Sequence, residues 1–331
     1  MRPANINDLQ RDHVVAGLLG QNLIAFTALI IIGFLLLRWL PGDPLDALYS
    51  GDLLRDFSLN EREEIREQLG WAENMAQEFL HYLAQLFRGN LGYSHHHAAP
   101  VSELLLSRLP WSLALILMSL PASLLLGVAL GLYAGHVSGQ WPDRLLLIVT
   151  TFISSLPSFA LGMILLSFFS FQLDWFPSGG GAGWSTQFEG WRQLLDLAWH
   201  AFLPACVLAV HGAVRFFYLS RGLAQSIGQR PFLIAAQAQG LHPLRLLRFH
   251  YWPNAWPELL TRMTGVLPGV LGGTLFVEVV FSYPGVGLLL VSALQQQDFI
   301  VVQGILFVTG LVILFVNSLI DIRTLYLGRR G

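Results

Sequence analysis

The chain has 331 residues, of which 54% are hydrophobic and only 12% charged, with a formal net charge of −2 and a mean hydropathy of +0.55. So few charges cannot cover a water-soluble domain of this length, and the composition reads as an integral membrane protein. No basic run offers a footing for nucleic acid, and the complete absence of lysine excludes a P-loop ATPase and Schiff-base chemistry.

Cys206 is the single cysteine and lies in an apolar segment, which excludes a disulfide framework and a cysteine-based metal site. The first apolar run is long and lacks a small-residue cleavage site, so no cleavable signal peptide is expected. Residues 1–17 are polar and read as cytoplasmic. Residues 18–40 are about one bilayer long at helical rise and form the first span. The span ends at an interfacial Trp39 and the hard turn Pro41-Gly42-Asp43-Pro44.

Residues 41–108 read as a water-facing insert after the first helix. Eleven acidic residues fall between 40 and 107 against Arg55, Arg62, Arg66 and Arg88. Ser58-Leu59-Asn60-Glu61 has the form of a capping box opening a helix through Leu69, and residues 71–87 carry a second helical pattern. Arg88-Gly89-Asn90-Leu91-Gly92-Tyr93-Ser94 follows. His95-His96-His97 invites a metal site, but adjacent side chains diverge, and a solvated loop is the better expectation.

A second span, 111–135, repeats Gly127, Gly131 and Gly135 every four residues, a stripe that lets another helix approach closely. A short loop with Asp143 and Arg144 leads to a third span, 145–173, where Pro157 is expected to kink the helix and Ser154, Ser155 and Ser158 to re-satisfy freed carbonyls. Residues 174–199 read as a second outer loop. The fourth span, 200–219, holds Pro204, His211 and Arg215. A fifth, 257–281, repeats the glycine device at Gly265, Gly269 and Gly273 and closes on Phe281-Ser282-Tyr283-Pro284-Gly285-Val286-Gly287. A sixth covers 300–320.

The loop 221–256 is the most informative stretch. Pro231 suits the first position of a helix, the run to Gln239 is rich in Ala and Gln, and Gly240 supplies a stop. His242-Pro243 restarts a short helix with Arg245 and Arg248 on one face. Two short helices joined at a glycine make a shape for docking a partner. Arg221, Arg230, Arg245 and Arg248 in this loop, with Arg323, Arg329 and Arg330 in the tail, place it and both termini in the cytoplasm.

This segment resembles the cytoplasmic coupling loop, the EAA motif, of ABC-importer permeases, and most closely the permeases for dipeptides, oligopeptides, nickel and opine-type metallophores. Phe232, Ala235, Ala236, Ala238, Gly240, Leu241, Arg245, Arg248, His250, Asn254 and Ala255 carry the likeness, while Gln237 and Gln239 stand where that family has basic residues. The PGDP turn, the GNLGYS segment (with Asn90 in place of Asp), FSYPGVG and Gln297-Asp298-Phe299 resemble the same family, whereas its Asp-Pro-Arg ending is missing. The resemblance implies an all-α, six-span permease of the type I ABC importer (MetI-like) fold with a periplasmic insert, in the bacterial inner membrane. It also implies a peptide permease, with a nickel or metal–metallophore importer as the alternative. The partners would be a homologous second permease, two ABC ATPase subunits, a solute-binding protein and membrane lipid. The chain itself would bind no cofactor and catalyse nothing, ATP-Mg being used by the ATPases. Phe232 through Arg248 would couple to those ATPases.

Glu278, at the outer end of span five, reads either as a cavity-facing gate residue with Tyr283 or as an anchor for the following turn. His211 and Arg215, four apart, read either as lining of the pathway or as contacts to lipid phosphate or a neighbouring helix. An intramembrane hydrolase is disfavoured because His200 and Ser220 lie at opposite ends of one span and no G-x-S-x-G occurs. A proton-coupled secondary transporter would show midplane acids and inverted repeats, and neither is apparent.

Overall fold

The computed structural model describes residues 6–39, 75–94, 96–182, 190–262 and 267–327. The PGDP turn, the capping-box segment at 58–61, His95 and Gly265 lie outside the described residues. The described residues are almost wholly helical and fall into two compact units, 1–108 with 289–318 and 109–288 with 319–331.

In the first unit, α1 (Ile6–Trp39) packs on α11 (Phe299–Leu327). Phe26 meets Phe307 at 6.4 Å, the Gln303 amide donates to the Gly33 carbonyl at 2.9 Å, and Asn22 donates to Ser318 at 2.9 Å. A side chain at Gly310 would strike Leu29, so that glycine sets the approach of the two helices. Helix α2 (Met75–Phe87) lays Phe79 edge-on to Phe34 at 5.1 Å. Gly89 and Gly92, both at positive φ, then turn the chain into a small antiparallel hairpin, β1 (Tyr93–Ser94) and β2 (Ala99–Pro100). Ser94, wholly buried, donates to the Asp298 carboxylate at 2.5 Å, and the Ser94 hydroxyl also receives the His97 N–H at 3.0 Å. GNLGYS and QDF, far apart in sequence, are thus two halves of one staple.

The second unit is built around α6 (Trp191–Gly228). Its apolar window is 56% buried, against 28% for α3 (Val101–His136), which makes it the central helix. The glycine stripe of α3 lies directly on it. A Cβ at Gly127 would collide with the Ala213 carbonyl, one at Gly131 with Ser220 and the Phe217 carbonyl, and one at Gly135 with Ala224. Ser220 donates back to the Gly127 carbonyl at 3.2 Å. This stripe is a seam within the chain. Of the later stripe, Gly273 faces Leu208.

The third apolar segment is more broken than a kinked helix. α4 (Trp141–Ser155) ends where Leu156, preceding a proline, is forced extended at ψ 128°. α5 (Ser158–Gln172) then departs at 99° and finishes in a π-helical stretch, Leu166–Gln172. The Leu156 N–H caps the Ile153 carbonyl that Pro157 leaves free, at 3.2 Å, while Ser154 and Ser155 bond the carbonyls of Thr151 and Phe152. Helix α6 begins at Trp191, so the end of the expected outer loop is already helical. α7 (Pro231–Ala238) and α8 (243–262) follow, then α9 (Leu267–Val280) and α10 (Val286–Gln295).

Among the described residues, α3, α6 and Phe299–Leu319 of α11 are long and apolar enough to cross a membrane, and the bent α4–α5 pair is a fourth if it crosses as one broken span. Gly20–Leu35 of α1 is a shorter apolar stretch.

Candidate functional site

The Arg-rich end of α6 is held rigidly. Arg221 grips Asp143 of α4 through two hydrogen bonds, Nε to Oδ1 at 2.6 Å and Nη2 to Oδ2 at 2.8 Å. Asp143 is 1% exposed and also accepts the Gly139 N–H at 2.9 Å. A planar, two-pronged guanidinium–carboxylate pair fixes orientation as well as distance. Gln225 adds a bond to Ser138 at 2.8 Å.

From this base the chain turns at Arg230, whose extended backbone precedes Pro231 at the start of α7. Leu233 (0% exposed) and Ala236 (5%) pack inward with Phe216, Ala224 and Ile227 of α6, and Leu241 packs beside them. The rest of α7 is open, with Phe232 41% and Ile234 54% exposed on either flank of the buried Leu233. Gly240 ends the helix at φ +72°, a conformation that costs any L side chain. His242 then caps α8, its ring Nδ1 accepting the Leu244 N–H at 3.4 Å.

Here the fold differs from two short helices. α8 runs from 243 through a π-helical turn (Leu247–Tyr251) without a break to Arg262. The second arm is therefore one rigid piece with the helix that extends to Arg262. Leu246 and Tyr251 are its buried anchors, and the Tyr251 hydroxyl lies 3.3 Å from Nδ1 of His136 on α3. Burial pushes the Tyr251 phenol up. Leu244 (70% exposed) and Phe249 (63%) point outward beside the exposed Arg245 and Arg248, with the Arg248 guanidinium 5.6 Å from the Phe249 ring centre. Of the expected coupling residues, Phe232, Ala235, Ala238, Gly240, His242, Arg245 and Arg248 are exposed, whereas Ala236 and Leu241 hold the arm in place.

At the other end of the unit, Glu278 is 1% exposed. Its carboxylate accepts the Gly287 N–H at 2.6 Å, the Leu288 N–H and the Ser112 hydroxyl, and Ser112 in turn accepts the Val286 N–H at 2.9 Å. One buried carboxylate and one hydroxyl thereby satisfy the first N–H groups of α10, which would otherwise be orphans. Side chains at Gly285 or Gly287 would run into that carboxylate. Ser282 takes positive φ, and Tyr283 is buried edge-on to Trp111 at 5.6 Å. Burial first, and then the neighbouring Glu278 charge, push the Tyr283 phenol up to about 12. These contacts tie Glu278 to the turn and to the first residues of α10.

His211 and Arg215 share one face of α6, Arg215 exposed and His211 half-buried. Among the described residues no three His, Cys, Asp or Glu side chains cluster as a metal would require. The Asp143–Arg221 pair, the Ser112 bridge and the Tyr251–His136 contact were not singled out in the sequence. The pair had a signal, since an acid in a short loop and an Arg just past a span both need partners.

Residues 127–330 match the family described as "Binding-protein-dependent transport system inner membrane component". The chain belongs to that family, the permeases of ABC importers, within its peptide-permease group. A Brucella ovis protein named as a peptide permease is 31% identical over 297 residues, 89% of this chain and 91% of its own. A Sinorhizobium fredii protein named as a peptide ABC transporter permease is 31% identical over 301 residues, covering 90% and 93%. The glutathione transport system permease protein GsiC of Escherichia coli K12 is 29% identical over 311 residues, covering 94% and 95%.

Proposed function

We propose that this chain is the permease subunit of an ATP-driven peptide importer, forming half of the translocation pathway with a homologous second permease. In this reading it crosses the inner membrane six times, with 41–108 periplasmic, both termini cytoplasmic, and a solute-binding protein delivering cargo from outside. Two ATPase subunits hold the ATP-Mg, and one of them seats on the surface of α7 and the start of α8. The carrying observation is that surface: Phe232, Ile234, Leu244 and Phe249 stand exposed beside Arg245 and Arg248, on arms whose other faces are locked onto α6. An apolar patch rimmed by charge, outside the apolar spans, fits a protein groove better than water. Because α8 is continuous from the patch to residue 262, a push on Leu244 is delivered as rigid-body motion, as alternating access requires.

A peptide cargo is supported by the names of the relatives, two for peptides and one for glutathione. Uptake of a radiolabelled peptide by cells producing the chain is expected to stop when a partner ATPase is inactivated and to survive an uncoupler while ATP is maintained. Loss with uncoupler alone would point to a proton-coupled carrier instead.

A further inference from the structure

A polar stripe runs down the Arg-rich half of α6. Between residues 203 and 227 the exposed positions are Arg215, Tyr218, Gly222 and Ser226. Their spacing of three, four and four puts them on one face. A face turned to lipid would carry aliphatic side chains. α4 shows what that looks like, with Leu145, Ile148, Val149 and Phe152 exposed along one side. Its other exposed side, roughly 100° around the helix, carries Thr151, Ser154 and Ser155. These two polar faces meet, with the Tyr218 hydroxyl 3.0 Å from that of Thr151.

Arg215 stands out on this surface. Arg221, about 9 Å further along the helix at 1.5 Å per residue, is taken by Asp143. Arg215 has no ion pair or hydrogen bond among the described residues. An unpaired guanidinium within an apolar span is costly in hydrocarbon and belongs where water reaches. We propose that the two polar faces line the aqueous passage and that Arg215 is a subsite for the carboxylate of an anionic cargo, such as the C-terminus of a peptide. A guanidinium can take a carboxylate in two parallel hydrogen bonds, and water around it lets the cargo leave again. The cargo chemistry rests on the importer reading above; the water-lined cation does not.

The test uses inside-out membrane vesicles from cells producing the full chain with Cys206→Ser and single cysteines at Ser154, at Phe152 as the lipid-face control, and at Ser138 as the exposed control. Ser154→Cys and Ser138→Cys are expected to react with both an anionic and a cationic methanethiosulfonate, and Phe152→Cys with neither. The Asp143–Arg221 and Thr151–Tyr218 contacts run α4 and α6 antiparallel, which sets Ser154 level with Arg215. A nearby unit charge in water changes each rate about twofold, so adding Arg215→Gln to Ser154→Cys should lower the anion-to-cation rate ratio about fourfold, while Arg215→Lys keeps it. Millimolar trialanine should slow anionic labelling of Ser154→Cys and its C-terminal amide should not, with Arg215→Gln abolishing the protection. An unreactive Ser154→Cys beside a reactive Ser138→Cys would overturn the passage. A ratio unmoved by Arg215→Gln, absent protection, or equal protection by the amide would overturn the carboxylate subsite. Labelling needs no ATPase, so loss of the importer reading would show separately, in the uptake experiment.

Discussion

Replacing Glu278 by glutamine removes one oxygen and one charge without changing size. The carboxylate accepts from two backbone N–H groups and the Ser112 hydroxyl. Glutamine retains a single accepting oxygen, and its amide nitrogen must face an N–H that it cannot serve. A buried donor left unsatisfied costs about 1–3 kcal/mol, and converting the remaining bonds from charge-assisted to neutral costs about 1 kcal/mol more. The sum, about 2–4 kcal/mol, should lower the apparent melting temperature of the detergent-solubilised protein by roughly 3–6 °C. Gly285→Ala should give the same phenotype, because its methyl strikes the same carboxylate. Combining the two should cost less than the sum of the single changes, since both break one network. Thermal unfolding followed by size-exclusion recovery reads this directly. A Glu278→Gln protein that melts within a degree of wild type yet has lost uptake would refute the anchoring argument and return the carboxylate to a role at the gate.

Three further outcomes rest on packing and backbone geometry. Gly131→Ala puts a methyl against Ser220 and the Phe217 carbonyl in the α3–α6 seam, and overpacking of this kind should cost about 1–3 kcal/mol, read as a lower melting temperature. Asp143→Asn strands Arg221 and should destabilise by about 2–3 kcal/mol, with Asp143→Asn/Arg221→Gln milder than the sum of its parts in a double-mutant cycle. Gly240→Ala has open space around its new methyl but sits at φ +72°, so it should cost about 1–2 kcal/mol by backbone strain alone and weaken coupling without affecting membrane insertion.

Periodicity and punctuation were legible in the sequence. Pro231, Gly240 and His242-Pro243 act through local backbone preference, and the turns they mark are where the structure has them. Long apolar runs disclosed α3, α6 and α11 for the same reason, since length at helical rise is a local property. The continuity of α8 through the expected loop end was not legible, because a π-helical turn at 247–251 leaves no composition signal. Nor was the 99° corner between α4 and α5, since Pro157 announces a break but not its angle. The anchoring of Glu278 depends on Ser112, more than 160 residues away, and a hydrogen bond across that separation has no periodicity to read. The glycine stripe at 127, 131 and 135 announced close packing; only the fold identified α6 as the partner.

The proposed seating of an ATPase on α7 and the start of α8 is tested most directly by co-purification. Affinity-tagged chain should be purified from membranes in mild detergent together with its candidate ATPase subunits, as wild type and as Phe232→Glu. Wild type is expected to retain the ATPase, and Phe232→Glu to lose at least nine-tenths of it while recovering normally from the membrane. Equal retention by both would contradict the docking surface, and no retention by wild type would contradict the coupling claim as a whole.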